Sequence, residues 1–277
     1  MLTLVPFAAL SDSTGRVLIE RFAISYLTAG RDLASPAIAE QPAGRAVIAL
    51  SPGREGPEHL DGADLEARAL QQFIPRSQLL ATGEATEQNI KALHSPALLH
   101  IVGHGLIRGN EDCTAETHDA ACTLSGLDPG SRAMNLSAIV LEEAYGRGAK
   151  SSQDGLLTAL ELETLDLRAS QMLVLSQCRM ADGVPSSGDG IYGMRRAAAI
   201  AGVQTFVAPL WDVSDSTERA LMTRFYKELS MGQGRADALR AAMLQVMRTP
   251  QQKSFLYWAP VILTGDPSPL PRQLFLP

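Results

Sequence analysis

Aromatic rings are scarce in this sequence, at 5% Phe, Trp and Tyr, and basic residues are outnumbered: 24 Lys and Arg against 30 Asp and Glu leave a formal charge of −6. A base-stacking platform and a broad basic face are both excluded, so direct nucleic-acid binding is not expected. Only three cysteines are present, Cys113, Cys122 and Cys178. That number does not make a disulfide framework and suits a reducing compartment. No uninterrupted apolar run reaches the roughly 20 residues of a membrane span. The longest weakly polar stretch, Ala197 to Trp211, is broken by Gly202, Gln204 and Pro209. The first residues, MLTLVPFAALSDSTGR, lack both a basic region and a small-residue cleavage site, so no secretory leader is read there. A cytoplasmic protein with no membrane contact is expected.

What the 277 residues do contain is an alternation of strand-like and helix-like segments, with 45% hydrophobic and 19% charged residues. Ala46–Ser51, Ala97–Gly103, Leu136–Glu143, Met172–Ser176, Val203–Leu210 and Tyr257–Gly265 read as strands. Helices are read over Asp61–Phe73, with Leu65, Ala69, Leu70 and Phe73 apolar, and from Thr86 to Leu93, with Thr86 as cap. Gly190–Ala201, Asp215–Leu229 and Arg235–Met247 are further helices. Thr158 with Glu161, and Asp215 with Glu218, have capping-box spacing. The alternation predicts an α/β fold whose mainly parallel sheet is covered on both faces. With no linker or internal repeat visible, one domain over 1–277 is expected. The polar, aperiodic stretch Leu106–Asn135, with the turn signal Asp128-Pro129-Gly130, is expected to be an exposed excursion.

Functional groups of open parallel sheets gather at the carboxyl ends of strands. Two such ends carry chemistry. LLHIVGHG ends on His104 and Gly105, and MLVLSQC ends on Cys178. A lone free cysteine is more often a buried filler, but flanks of Gln177, Arg179 and Asp182 suggest a partly exposed loop, and a thiolate beside a basic group is the reactive kind. An imidazole 178 − 104 = 74 residues earlier can reach it if the two strands are neighbours. His100 alternates into the strand and reads as a satisfied core histidine; His59, His94 and His118 lie in loop or helix-end contexts. Two competing motifs are weaker. GDGIYG, Gly188–Gly193, with Asp212 beyond it, matches a dinucleotide fingerprint, but about a dozen residues separate it from the preceding strand. Cys113, His118 and Cys122, with Asp112, Glu116 or Asp119 nearby, have no standard zinc spacing and read as a surface loop.

Several ordered blocks together resemble one family: LLHIVGHG, DGLLTALELETLDL, LVLSQC, GDGIYGMRRAAAIAGVQTFVAPLWDVSD, FYKEL and WAPVILTGDP, with PFAAL and EARALQQFIP...LLATGEAT before them. These resemble the CHAT domain, related to caspases and separases and often attached to tetratricopeptide repeats. The resemblance implies a caspase-like three-layer α/β/α sandwich. It implies a cysteine peptidase with His104 and Cys178 as the catalytic dyad, an oxyanion hole from the N–H groups of Gly105 and Cys178, a protein substrate and no cofactor or metal. PLWDVSD resembles a separase segment beside the substrate channel. With the apolar strand delivering Asp212 and Asp215 to the sheet edge of Cys178, a basic P1 residue is expected, with Asp212 at the base of its pocket, Asp215 as a helix N-cap, and Asp154, Asp182 and Asp189 in reserve. Two features depart from the family. The nucleophile loop reads Ser176-Gln177-Cys178-Arg179-Met180-Ala181 where S-A-C-x-T-G is common, and PFAAL begins at Pro6, where relatives have a preceding segment or repeats. A regulatory protein or repeat domain is therefore an expected partner, within a bacterial signalling or defence pathway. The alternative reading is a catalytically idle caspase-like scaffold.

Overall fold

Ala46–Leu50 (β1) is a run of five apolar residues, all of them buried, as befits a parallel strand covered on both faces. The computed structural model describes residues 5–28, 30, 44–56, 59–107, 134–146, 153–178 and 189–277. Along the chain β1 is followed by α1 (Ala63–Gln71), β2 (Gln78–Leu80), α2 (Glu87–Lys91), β3 (Leu98–Ile107), β4 (Ser137–Val140), β5 (Leu156–Thr158) and α3 (Ala159–Leu162). Then come β6 (Met172–Cys178), α4 (Asp189–Ala201), β7 (Thr205–Pro209), α5 (Asp215–Ser230), α6 (Arg235–Met247), α7 (Phe255–Trp258) and β8 (Val261–Gly265).

The strands form one sheet in the order β2-β1-β3-β6-β7-β8. The first five are mutually parallel, and β8 is antiparallel to β7. The strand order reverses between β1 and β3, the point at which α/β sheets place ligands. One face packs β1, β3 and β6 residues Ile48, Leu50, Leu98, Val102, Met172 and Val174 against α1, α5 and α6. The other face sets Val47, Leu99, Ile101, Leu173 and Leu175 against α2, α3 and α4. This is a three-layer α/β/α sandwich with a mainly parallel sheet, as the alternation of segments requires.

Several boundaries differ from the sequence reading. β3 does not stop at Gly103 but runs on to Ile107, because its last four residues find a new partner. Beyond Leu50, β1 leaves the sheet, and β4 pairs antiparallel with His104–Ile107 in its place. Leu106 and Ile107 thus belong to the sheet rather than to the polar excursion; residues 108–133 lie outside the described part. Of the expected strand Leu136–Glu143 only Ser137–Val140 is extended, and Glu142–Tyr145 turns into a 3₁₀ helix. β2 and β5 have three residues each and carry no periodicity to detect. On α1 the buried stripe is Ala63, Glu66, Ala67 and Leu70, while Leu65 is exposed.

Local chemistry sets the helix starts. Thr158 accepts from Glu161 N at 3.2 Å and its own N–H donates to Glu161 Oε2 at 3.0 Å, a complete capping box. Thr86 accepts from Asn89 N at 3.2 Å. At α5 the N-cap is Ser214, not Asp215, which lies inside the first turn. Gly155 has φ +81°, and a Cβ there would lie 2.1 Å from Ala144 N. Only glycine allows the chain entering β5 to press against the 3₁₀ turn after β4.

Candidate functional site at the carboxyl ends of β3 and β6

The parallel ladder between β3 and β6 runs from Leu98 opposite Met172 to His104 opposite Cys178. His104 and Cys178 are therefore register partners on adjacent strands, and His104 is also opposite Val140 of β4. Gly105, the next residue, stands opposite Ile139. Gly103 serves packing: a Cβ at this position would lie 3.0 Å from Ser51 O, so the missing side chain lets the end of β1 close against β3.

Below this level, on the α1 and α5 side of the sheet, a small recess is lined by Leu60, Gly62, Ala63, Glu66, Val102, Ser176, Asp215 and Glu218. It lies where the loop after β1 and the start of α5 meet above β3 and β6. Three carboxylates converge on it. Glu66 and Glu218 are buried on their helices. Asp215 Oδ2 accepts from Gly62 N at 3.3 Å. Ser176, two residues before Cys178, is 2% exposed, and its hydroxyl has no hydrogen-bond partner among the described residues.

Glu66 also joins a buried chain behind the pocket. Its Oε1 lies 3.0 Å from His100 Nε2, and His100 Nδ1 lies 2.9 Å from Tyr226 Oη. Burial holds the Tyr226 phenol well above its ordinary pKa of 10.0, and the nearby Glu66 charge adds to the effect. Tyr226 keeps its proton, so its hydroxyl can donate a hydrogen bond to Nδ1, while Nε2 faces Glu66. His100 is the satisfied core histidine expected from its place in the strand.

The remaining candidate residues are distributed as follows. Asp215 lines the pocket and Asp212 does not. Asp154 sits at the start of β5, where its Oδ1 accepts from Leu156 N at 3.0 Å. Asp189 begins α4. Asp182 lies outside the described residues, as do Cys113, His118 and Cys122. Among the described residues no group of three or more His, Cys, Asp or Glu is placed to hold a metal ion. Gly190 and Gly193 lie within α4, not in a turn that could cradle a pyrophosphate. No described helix is long and apolar enough to cross a membrane. Sequence reasoning did not find Glu66, Glu218 or Ser176. The available signal was a glutamate at Glu66, on the same helical stripe as Ala63, Ala67 and Leu70.

No curated protein sequence matches the chain. Among solved structures, it is similar to the complex of Porphyromonas gingivalis RgpB pro- and mature domains, at 12% identity and a TM-score of 0.45, covering 81% of this chain and 48% of that one. It is also similar to the Arg-specific cysteine proteinase gingipain R (RgpB), at 11% identity and a TM-score of 0.45, covering 81% and 47%. The chain thus spans about half the length of either. The family model of the CHAT domain matches residues 1–266, and the chain belongs to the CHAT domain family.

Proposed function

We propose that this chain is a cysteine endopeptidase that cleaves a protein substrate after a basic residue, with His104 and Cys178 as its dyad. The observation that carries the reading is the register of His104 with Cys178 at the carboxyl end of a parallel sheet. Register partners on parallel strands share one face of the pleat, at a strand spacing of about 4.8 Å. In this reading the Cys178 thiolate attacks the scissile carbonyl carbon. The C–N bond breaks as His104 delivers a proton to the leaving amine, and water then hydrolyses the thioester. The N–H groups of Gly105 and Cys178 are the oxyanion donors, each worth roughly 3 kcal/mol in such sites.

The pocket beneath the dyad supports a basic P1 residue. Glu66, Asp215 and Glu218 face a common space with a buried serine hydroxyl. A guanidinium can bond a carboxylate through two parallel N–H groups and still reach Ser176. The carboxylate assigned to P1 is thus Asp215, with Glu66 and Glu218, in place of Asp212.

An arginyl acyloxymethyl ketone tests the reading. It should label the wild type, fail to label Cys178→Ala, and label His104→Ala much more slowly. Asp215→Asn should lower the Arg-over-Leu cleavage ratio by about tenfold or more, the loss expected for one charge-assisted pair. A wild-type protein that neither reacts with the probe nor cleaves any arginyl peptide is the scaffold of the alternative reading.

A further inference from the structure

Three successive rows of the ladder between β3 and β6 set His100 opposite Val174, Val102 opposite Ser176 and His104 opposite Cys178. Alternate residues of a strand share a face, so His100, Val102 and His104 all project to the α1 and α5 side of the sheet. Val102 and Ser176 line the recess on that side. The recess thus occupies the row between the two histidines. It is separated from the row of His104 and Cys178 by two residues, at about 3.3 Å each. His100 lies one row further in.

Glu66 reaches the recess from α1. It is buried, and its Oε1 lies 3.0 Å from His100 Nε2. Its other oxygen, Oε2, has no hydrogen-bond partner among the described residues. The buried Ser176 hydroxyl has none either. A buried carboxylate oxygen and a buried hydroxyl that share one recess leave hydrogen-bonding capacity for a charged donor to fill. Among the described residues, His100 is the one side chain that tethers the Glu66 carboxylate. The ring of His100 is held in turn at Nδ1, 2.9 Å from Tyr226 Oη, so it cannot rotate without losing both bonds. Burial keeps the Tyr226 phenol in its protonated form. Three elements, α1, β3 and α5, therefore meet to fix one carboxylate.

We infer that His100 and Tyr226 are positioning residues for substrate specificity: together they hold the Glu66 carboxylate so that Oε2 accepts an N–H of the basic P1 side chain in the recess, and neither touches the substrate itself. The inference rests on the reading of a basic P1 residue above. With Oε1 given to His100, Glu66 offers the ligand one oxygen, and the Ser176 hydroxyl offers a second acceptor. A guanidinium has donors in a fixed, planar fork, so its recognition depends on the orientation of each acceptor. A carboxylate fixed before the substrate arrives loses less entropy on binding than one that must be ordered by it.

Fluorogenic peptides that differ only in Arg or Leu at P1 test it, each variant being assayed well below its own melting temperature. His100→Leu should lower the Arg-over-Leu ratio of kcat/KM by about tenfold, the worth of one hydrogen bond to a charged group. The loss should lie mainly in KM for the arginyl peptide, because the bond that breaks is one row away. Tyr226→Phe keeps both rings and should lower the ratio severalfold, so the test holds even if His100→Leu fails to fold. His100→Gln, which retains an N–H for Glu66, should recover part of the loss. Tyr26→Phe is the control: it removes another partly buried hydroxyl, bonded to Val5 O at 2.7 Å and Phe7 N at 3.0 Å beside β8, and should leave the ratio unchanged. An Arg preference that survives both His100→Leu and Tyr226→Phe, or that falls equally in Tyr26→Phe, overturns the positioning role and leaves the peptidase reading standing. A wild type that cleaves without preferring arginine, or does not cleave at all, overturns the basic-residue reading and this inference with it.

Discussion

Replacing Tyr226 by phenylalanine removes one oxygen atom from the centre of the molecule. The ring stays, with its edge-on contacts to Phe225 at 5.6 Å and His100 at 5.5 Å between centroids. The change therefore isolates the hydrogen bond to His100 Nδ1 at 2.9 Å. Both residues are 0% exposed, so no water can replace the lost donor at Nδ1. An unsatisfied buried acceptor costs about 1–3 kcal/mol. For a chain of this size that lowers Tm by roughly 2–12 °C. Urea unfolding followed by tryptophan fluorescence gives the free energy. A cycle with Glu66→Gln should yield a coupling of about 0.5–3 kcal/mol, because both residues bond the same imidazole ring. A Tyr226→Phe protein within about 0.5 kcal/mol of the wild type, with no coupling to Glu66, would show that the chain of bonds does not fix the imidazole.

Gly155→Ala should destabilise the chain by several kcal/mol or leave it insoluble, since both the φ of +81° and the 2.1 Å approach to Ala144 N oppose a Cβ; the soluble yield and urea midpoint measure it. Stability should fall as the pH drops below about 4. Burial pushes the Asp266 carboxyl up, but Ser268 and Arg235 bring it below its ordinary value of 3.8. Its contribution is therefore present above that value and lost as the pH falls through the folded one. The urea midpoint should depend less steeply on acid pH in Asp266→Asn. Glu66→Gln should both destabilise the fold and weaken the preference for arginine, because one carboxylate serves His100 and the pocket; thermal melts and the Arg-over-Leu cleavage ratio record the two effects separately.

The sheet was readable in the sequence where strands are buried on both faces. AVIAL, LVLS and FVAP stand out because a parallel strand under two helical layers has no polar side. His100 was readable too, as the alternate residue of such a strand. The direction of β8 was not, because an antiparallel edge strand, VILTG, has the same apolar run as a parallel one. The extension of β3 was hidden for a different reason. Gly103 and Gly105 look like the end of a strand, yet the first makes room for Ser51 and the second lies in the new ladder with β4. Glu218 was read as a capping residue from its spacing with Asp215; the actual cap is Ser214, one residue earlier, and both acids turn toward the pocket. Capping-box spacing and a pair of acids that line a recess look alike until the neighbouring helix is known.

β3 links these observations. Its first half, Leu98–Val102, is clamped between β1 and β6 and carries His100, whose two ring nitrogens tie it to α1 and α5. Its second half has exchanged β1 for β4 and carries His104. A strand that changes partners within its own length can keep its ends under separate control. The lower half gains rigidity from complete burial, whereas the upper half depends on the β4–β5 hairpin. That hairpin is braced from outside the sheet: Glu142 and Glu143 accept the N–H groups of Gly83 and Glu87, and Glu87 accepts that of Gly155. Three glutamates buried for this purpose would be costly unless each carboxylate met a donor, and each does. The position of His104 opposite Cys178 therefore depends on two supports. One is the apolar ladder with β6. The other is a set of carboxylate–backbone bonds beyond β4.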